Sequence, residues 1–380
     1  MHQSTPEDKE PESNSKQWDS LLQAEEKWVI DALFRDQIQM IPIDDDELQH
    51  QIIIFARKHG LSQLLYKSPS ANQFSETGFE ELKKDFLSIY ARNLLFNQIL
   101  NEILSLFHKN GIEAIVLKGS FLSAVVYENP AFRPFSDIDI LVKEEQAETA
   151  WKLLWPDNGY KNVKQDVTGH HLPPVMYRGA TIEVHRTLFP QNASFKIPVD
   201  EVWKSALRDE KSGMISLDPC SQILYTCLHT YYNFKMGGTR LGWLMDIKKL
   251  MDYYDELSWD DVLLKAHQFR IYEPVVLILS FYNILNPGVY FNLPLKNRQK
   301  RDLKILIRFT RGTGEQKLEY SYSIAWERFW NSKGFREKYS FLKQLINNDN
   351  AGLKRNILIR LAYLFRNTLR MFFQKIKDKL

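Results

Sequence analysis

An α+β fold, in which a small mixed β-sheet unit is flanked by N-terminal and C-terminal helical regions, is predicted by three textures along the 380-residue chain. Apolar residues recur at helical spacing up to about His108, short β-rich runs fill the stretch from Gly111 to about Leu188, and helical spacing returns after Pro219. With 44% hydrophobic and 13% aromatic residues the chain can bury more than one core, because single cores stop growing at roughly 250–300 residues. The expected division is a lead-in over 1–17, a helical region over 18–110, an α/β unit over 111–218, a helical region over 219–352 and a basic amphipathic helix over 353–380.

The lead-in MHQSTPEDKEPESNSKQ has no apolar core of the kind a signal peptide needs, and its Pro, Ser, Glu and Lys content reads as disordered. In DDDELQHQIIIFARKHG, Ile52, Phe55 and Ala56 fall at helical spacing and Gly60 is placed to close the helix. A longer helix is expected from about Phe79 to His108, ending at Asn110-Gly111, a pair suited to left-handed backbone. The runs EAIVLK, DIDILVK, VMY and TIEVHR then read as strands, and EEQAETAWKLLW reads as the helix among them. Arg178-Gly179 is expected to turn a hairpin between Pro174–Tyr177 and the following strand. Downstream, SQILYTCLHTYYNF, LGWLMDIKKLMDYY and SWDDVLLKAHQF carry helical periodicity.

Composition excludes several classes. Fifty basic against 47 acidic side chains leave a formal charge of +3, so no global field marks a nucleic-acid or membrane protein. The longest apolar run, Pro274 to Leu285, is well short of the roughly 20 residues that span a bilayer and reads as a buried helix. Cys220 and Cys227 lie in an apolar helical stretch and suit buried thiols in a reducing compartment, and no four close Cys/His ligands suggest zinc. The expected location is cytoplasmic. From Leu353 onward, eight Lys/Arg against one Asp are threaded with Leu, Ile and Phe. Such a helix either packs on its neighbour with the basic face in water or contacts an anionic membrane or nucleic acid.

The stretch LKGSFLSAVVYENPAFRPFSDIDILVK holds two features of chemical interest. A strand at Ile115–Leu117 runs into Gly119-Ser120 and an apolar helical stretch. Glycine permits close backbone approach, and a helix N-terminus offers free N–H groups to a phosphate. Asp137 and Asp139 open a strand, and side chains at i and i+2 share a face, so two carboxylates converge where a hard divalent cation relieves their repulsion. Alone, each motif is also what a structural turn or an acidic strand end shows. Glu183, between Ile182 and Val184, faces away from their side of the sheet and completes the carboxylate set or takes a proton if its strand lies beside that of Asp137.

Secondary candidates surround these. Lys118, on the strand face opposite Leu117, reaches a phosphate or water, and Arg133 in the following loop is a candidate for bidentate phosphate contact or a solvated loop residue. His185 shares the face of Glu183, whereas His170 and His171 read as loop residues rather than ligands. Arg240, Trp243 and Asp246 fall at i, i+3 and i+6 and either wall a pocket or pack in a core.

The order Gly-Ser, helix, hydrophobic-Asp-hydrophobic-Asp, then hydrophobic-Glu-hydrophobic resembles the nucleotidyltransferase superfamily with the DNA polymerase beta-like catalytic fold. More narrowly, LKG, Tyr127, Arg133 and SDIDILV, followed by IEVH and RLGWLMDI, resemble a bacterial family of uncharacterised nucleotidyltransferases. The resemblance covers roughly Ile52 to Asp246, with its signature between Lys118 and His185. It implies transfer of a nucleoside monophosphate from a nucleoside triphosphate, with ATP the expected donor, to a hydroxyl of a small molecule or protein, with pyrophosphate leaving. It further implies that Gly119 and Ser120 hold the triphosphate, Asp137 and Asp139 bind two Mg2+ or Mn2+ ions, and Glu183 binds the ion nearer the acceptor. The gap from Ser120 to Asp137 is longer than the commonest superfamily spacing, and the insert with Tyr127, Pro130 and Arg133-Pro134 also occurs in the narrower family. Two other classes stay open: RNA-directed nucleotidyl transfer, and a catalytically silent nucleotide-binding interaction module.

Overall fold

The computed structural model describes residues 22–37, 45–155, 159, 169–191, 193–209, 213–235, 238–287, 293, 295–311 and 338. The expected lead-in over 1–17 and the basic helix over 353–380 lie outside the described residues.

Among the described residues, four α-helices precede the sheet: α1 (Ala24–Leu33), α2 (Asp46–His59), α3 (Ser62–Lys67) and the 34-residue α4 (Glu76–Lys109). Local chemistry sets their ends. Asp45 accepts from the Leu48 N–H to cap α2, and Gly60 closes that helix at φ +68°. The Ser75 hydroxyl accepts from Gly78 N–H to start α4, which stops before Gly111 at φ +69°. The expected helix from Phe79 to His108 is therefore present and slightly longer.

One mixed sheet follows, built from β1 (Ala114–Val116), β2 (Asp137–Val142), β3 (Val175–Tyr177), β4 (Ala180–His185), β5 (Leu207–Arg208) and β6 (Ile215–Ser216), in the order β3-β4-β2-β1-β6-β5. β2 runs antiparallel to β1 and parallel to β4. The β3–β4 hairpin turns at Arg178 (φ +50°) and Gly179 (φ +90°), the double positive-φ geometry of a tight two-residue loop. The edge pair β5–β6 was not visible in the sequence because two-residue strands carry no periodicity.

Two short elements join β1 to β2. Lys118–Phe121 forms a single helical turn, α5, that widens into a π-type turn over Leu122–Val126. The strand before it ends at Val116, so Lys118 opens a helix and does not sit on a strand as expected. Helix α6 (Glu144–Leu153) covers the sheet, with Trp151 fully buried and its indole N–H donating to the Pro173 carbonyl at 2.7 Å.

After α7 (Val199–Ser205), the second helical region comprises α8 (Pro219–Lys235), α9 (Leu241–Tyr253), α10 (Trp259–Gln268), α11 (Tyr272–Leu285) and α12 (Asn297–Arg311). The apolar run from Pro274 to Leu285 lies in α11, most of whose side chains are buried, and no helix among the described residues is long and apolar enough to cross a membrane. Cys227 is buried in α8 and Cys220 half-buried, both as free thiols. A continuous core from Trp28 to Ile307 joins the sheet to helices on both sides. That continuity fixes the walls of the cleft above the carboxyl-bearing strand.

Candidate active site

The carboxylates are positioned by strand register. β2 pairs with β4 so that Asp137 stands beside Thr181, Asp139 beside Glu183 and Leu141 beside His185. With a period of two, Asp137, Asp139, Glu183 and His185 share one face of the sheet, while Ile138, Ile140, Ile182 and Val184 are fully buried on the other. The Glu183 strand therefore lies directly against the aspartate strand, the condition on which its candidacy depended.

Asp139 is the hub. Its Oδ1 accepts from Lys118 Nζ at 2.9 Å and lies 2.7 Å from His185 Nε2, and Glu183 Oε2 is 3.4 Å from the same imidazole nitrogen. Burial opposes the negative charge, but Lys118 and His185 outweigh it and hold the Asp139 carboxyl well below the usual range. Lys118 is the mirror case: burial opposes its charge, and Asp139, Tyr225 and Glu183 hold the ammonium above its ordinary value. Asp137 behaves oppositely to Asp139, because burial and then the neighbouring Asp139 charge raise its pKa, with Lys118 opposing.

Ligand atoms of Asp139, Glu183 and His185 lie within 4.8 Å of one another, the spacing a single cation requires. Because Lys118 and His185 both address Oδ1, Asp139 Oδ2 has no hydrogen-bond partner among the described residues. Asp137 adds a carboxylate whose only such partner is the Ser136 hydroxyl at 3.3 Å. Free carboxylate oxygens form a donor set that fits a hard divalent ion such as Mg2+ or Mn2+, while His185 Nε2 is engaged by Asp139 and Glu183.

Asp137 and Asp139 face a cleft of about 750 Å3 whose walls come from both helical regions as well as the sheet unit. Arg57, Lys58 and Arg92 contribute from the N-terminal side, Lys118, Gly119 and Arg133 from the centre, and Tyr225, His229, Arg240, Trp243 and Asp246 from α8 and α9. The first three carry no signal in the sequence, since nothing short-range says which face of an exposed helix looks into a distant cleft.

Gly119 is required by contact: a Cβ there would stand 2.5 Å from the Phe135 Cβ. Gly242 is the second such position, with a Cβ 2.7 Å from the His59 carbonyl oxygen; Leu241 N–H donates to His59 Nδ1 at 3.1 Å. The start of α9 is thereby clamped to the end of α2, which sets the width of the cleft.

Several sequence expectations are revised. Ser120 is fully buried within the helical turn, and its hydroxyl does not reach the cleft. Arg133 is not a loop cation free for phosphate: its Nε donates to Asp246 Oδ1 at 2.6 Å, and the Tyr127 hydroxyl donates to the same oxygen at 2.8 Å. Asp246 and Arg133 thus join α9 to the insert, and Asp246 acts as a buried acceptor as much as a pocket wall. His185 lies beneath the carboxylates and does not line the cleft. His171 is more than a loop residue, since it bridges to His185 across the sheet edge and its Nε2 lies 3.9 Å from Glu183. His170 packs on both rings, and burial first, then the neighbouring His185, lowers its pKa to about 2.

Paired strand carboxylates on a mixed sheet thus stand at the floor of a cleft lined by cations, in the order that the resemblance to nucleotidyltransferases led one to expect. The family model described as uncharacterised nucleotidyltransferase matches residues 45–286, more than half of the chain, and the protein belongs to that family. No curated protein and no solved structure matches the chain.

Proposed function

We propose that the protein transfers a nucleoside monophosphate from a nucleoside triphosphate to a hydroxyl of a small molecule or a protein, releasing pyrophosphate. The observation that carries this reading is the register that sets Asp139 against Glu183, with Asp137 on the same face, under a cation-lined cleft. In the reaction the acceptor oxygen forms a bond to the α-phosphorus, the bond from that phosphorus to the pyrophosphate oxygen breaks, and the hydroxyl proton is lost to a base. Asp137, Asp139 and Glu183 would hold Mg2+ or Mn2+ there, which when bound neutralises the triphosphate and stabilises the attacking and leaving oxygens.

The chain's own residues supply the rest. Lys118, already aimed into the carboxylate group, is placed to follow the charge of the phosphates when they enter. Gly119 lines the cleft and lets Phe135 pack directly against its backbone, which fixes the turn that carries Lys118. Glu183, beside Asp139 and touched by His185 though not itself among the residues lining the cleft, would complete the ion's ligands or accept the proton of the hydroxyl. His185, buried behind them, orients both carboxylates. Trp243, packed edge-on with His229 at 5.1 Å, offers an apolar wall for a base or an acceptor. ATP is the expected donor, and the site belongs to the sheet-centred unit expected over 111–218.

The test is a screen of labelled nucleoside triphosphates with Mg2+ or Mn2+, using cell extract as the source of acceptors and pyrophosphate release as the readout. Metal-dependent release that disappears in Asp139→Asn supports the reading. Nucleotide binding with no release across extracts would favour the silent binding module instead.

A further inference from the structure

The cations lining the cleft are mostly committed. Lys118 is paired with Asp139 and Arg133 with Asp246, while Arg57 holds Asp85 at 2.7 Å and Glu81 at 3.0 Å on α4. Lys58 also has a partner. Arg92 and Arg240 stand apart, since among the described residues neither side chain has an ion pair or a hydrogen bond, and both line the cleft. The Arg240 guanidinium lies over the Trp243 ring, 5.9 Å from its centroid.

Both guanidiniums rise from fixed backbone. Arg92 precedes Asn93, which is fully buried and donates to the Pro130 carbonyl at 2.7 Å and the Arg133 carbonyl at 2.8 Å. Arg240 occupies the N-cap of α9, whose first turn is clamped to His59 through Leu241 and Gly242. Partial burial also lowers the pKa of Arg92, with no acid nearby to offset it. Two exposed guanidinium forks on the walls of one cleft, without counter-charges among the described residues, are suited to an oxyanion, which they bind through paired charge-assisted hydrogen bonds.

Resting on the nucleotidyl-transfer reading, we propose that Arg92 and Arg240 form a subsite for an oxyanion carried by the acceptor, a phosphate or a carboxylate. Arg92 on α4 and Arg240 at the N-cap of α9 belong to the helical walls of the cleft, not to the strands whose carboxylates and ions would hold the triphosphate. The remaining positive charge of the cleft therefore falls to the second reactant. Trp243, beneath Arg240, gives the carbon skeleton next to that oxyanion an apolar surface.

The experiment is calorimetric titration of inorganic phosphate, and separately of acetate, into the full chain saturated with Mg2+ and a non-hydrolysable nucleoside triphosphate analogue. The same titrations are run on Arg92→Gln and Arg240→Gln. Saturable binding of one anion by the wild type, weakened about tenfold or more in each variant as expected for a lost charge-assisted hydrogen bond, supports the subsite. The better-bound anion names the acceptor's group. The affinity for the analogue should change less than about twofold, well inside one such bond. Anion binding equal in wild type and variants overturns the proposal, as does no anion binding to the nucleotide-loaded chain. Loss of analogue affinity in the variants also overturns it, because the pair would then serve the triphosphate. Failure of the wild type to bind the analogue in either Mg2+ or Mn2+ is a different result. It removes the nucleotidyl-transfer reading and with it the acceptor, whereas phosphate binding to the unloaded chain that the two variants lose would leave only an anion site.

Discussion

The ammonium of Lys118 lies 2.9 Å from Asp139 Oδ1, an ion pair that joins the turn after β1 to the middle of β2 across 21 residues of chain. With His185 on the same oxygen, it makes Asp139 a buried anion with two donors, while Asp137 is a partly buried anion whose strongest neighbour repels it. The two aspartates therefore differ in stability although they share a role.

For catalysis, Asp137→Asn and Asp139→Asn should each lower metal-dependent pyrophosphate release a hundredfold or more, on the order of 3 kcal/mol of transition-state stabilisation. Without metal, Asp137→Asn should keep or raise the thermal midpoint, because it removes a repulsive charge. Asp139→Asn should lower it, since Lys118 and His185 lose their buried counter-ion, a change worth about 3 kcal/mol. Thermal melts in chelator, paired with the release assay, read both effects. Equal midpoints for the two variants would contradict the asymmetry.

Lys118→Met keeps the apolar stem and removes the charge. It should weaken nucleotide binding about tenfold, as for one charge-assisted contact, and also lower stability through the stranded Asp139 carboxylate. Equilibrium binding of a fluorescent nucleotide, alongside urea unfolding, separates the two losses.

Gly119→Ala places a Cβ 2.5 Å from that of Phe135, so one of the two backbones must shift. A destabilisation of about 1–3 kcal/mol is expected, as for overpacking elsewhere. Most of the activity should be lost as well. Because alanine at 135 would keep the clashing Cβ, the test background is Phe135→Gly, in which Gly119→Ala should cost less, and a double-mutant cycle by chemical denaturation measures the coupling. Additive effects would show that Phe135 is not what excludes a side chain at 119.

Asp218 anchors the start of α8 to α10 through Lys265, whose Nζ donates to both carboxylate oxygens at 2.9 and 2.8 Å. Burial opposes its charge, but Lys265, Ser205 and Ser221 hold its pKa below the ordinary value. With the folded pKa depressed, the stabilisation is complete above the unfolded value of about 3.9 and fades as pH falls through the folded one. Asp218→Asn should thus be less stable than wild type at neutral pH, with the gap closing in acid. Urea unfolding at several pH values tests this, and a gap that widens toward acid would refute the sign.

Much of the fold was legible because its signals are local. The Asn110-Gly111 stop, the Arg178-Gly179 turn and the helical periodicity of α8 to α11 each depend on a few neighbouring residues. The period of two likewise put Asp137 and Asp139 on one face before any coordinates. The backbone of Lys118 was misread because φ +46° at a non-glycine residue follows no local preference; its conformation accompanies the long-range contact with Asp139. The burial of Ser120 was not legible, because a Gly-Ser pair does not say which way the next helical turn packs.

By itself the sequence determined the elements, the shared face of the aspartates and the family resemblance, because alternation, capping and turn chemistry act over a few residues. Only the tertiary structure decided that Asp139 stands in register with Glu183, that His185 lies beneath both, that Arg133 is bound to Asp246, and that Arg92 and Arg240 face one cleft. Those relationships join residues tens to more than a hundred positions apart. They are fixed by which apolar faces bury together, and that packing is a property of the whole core rather than of any short stretch of chain.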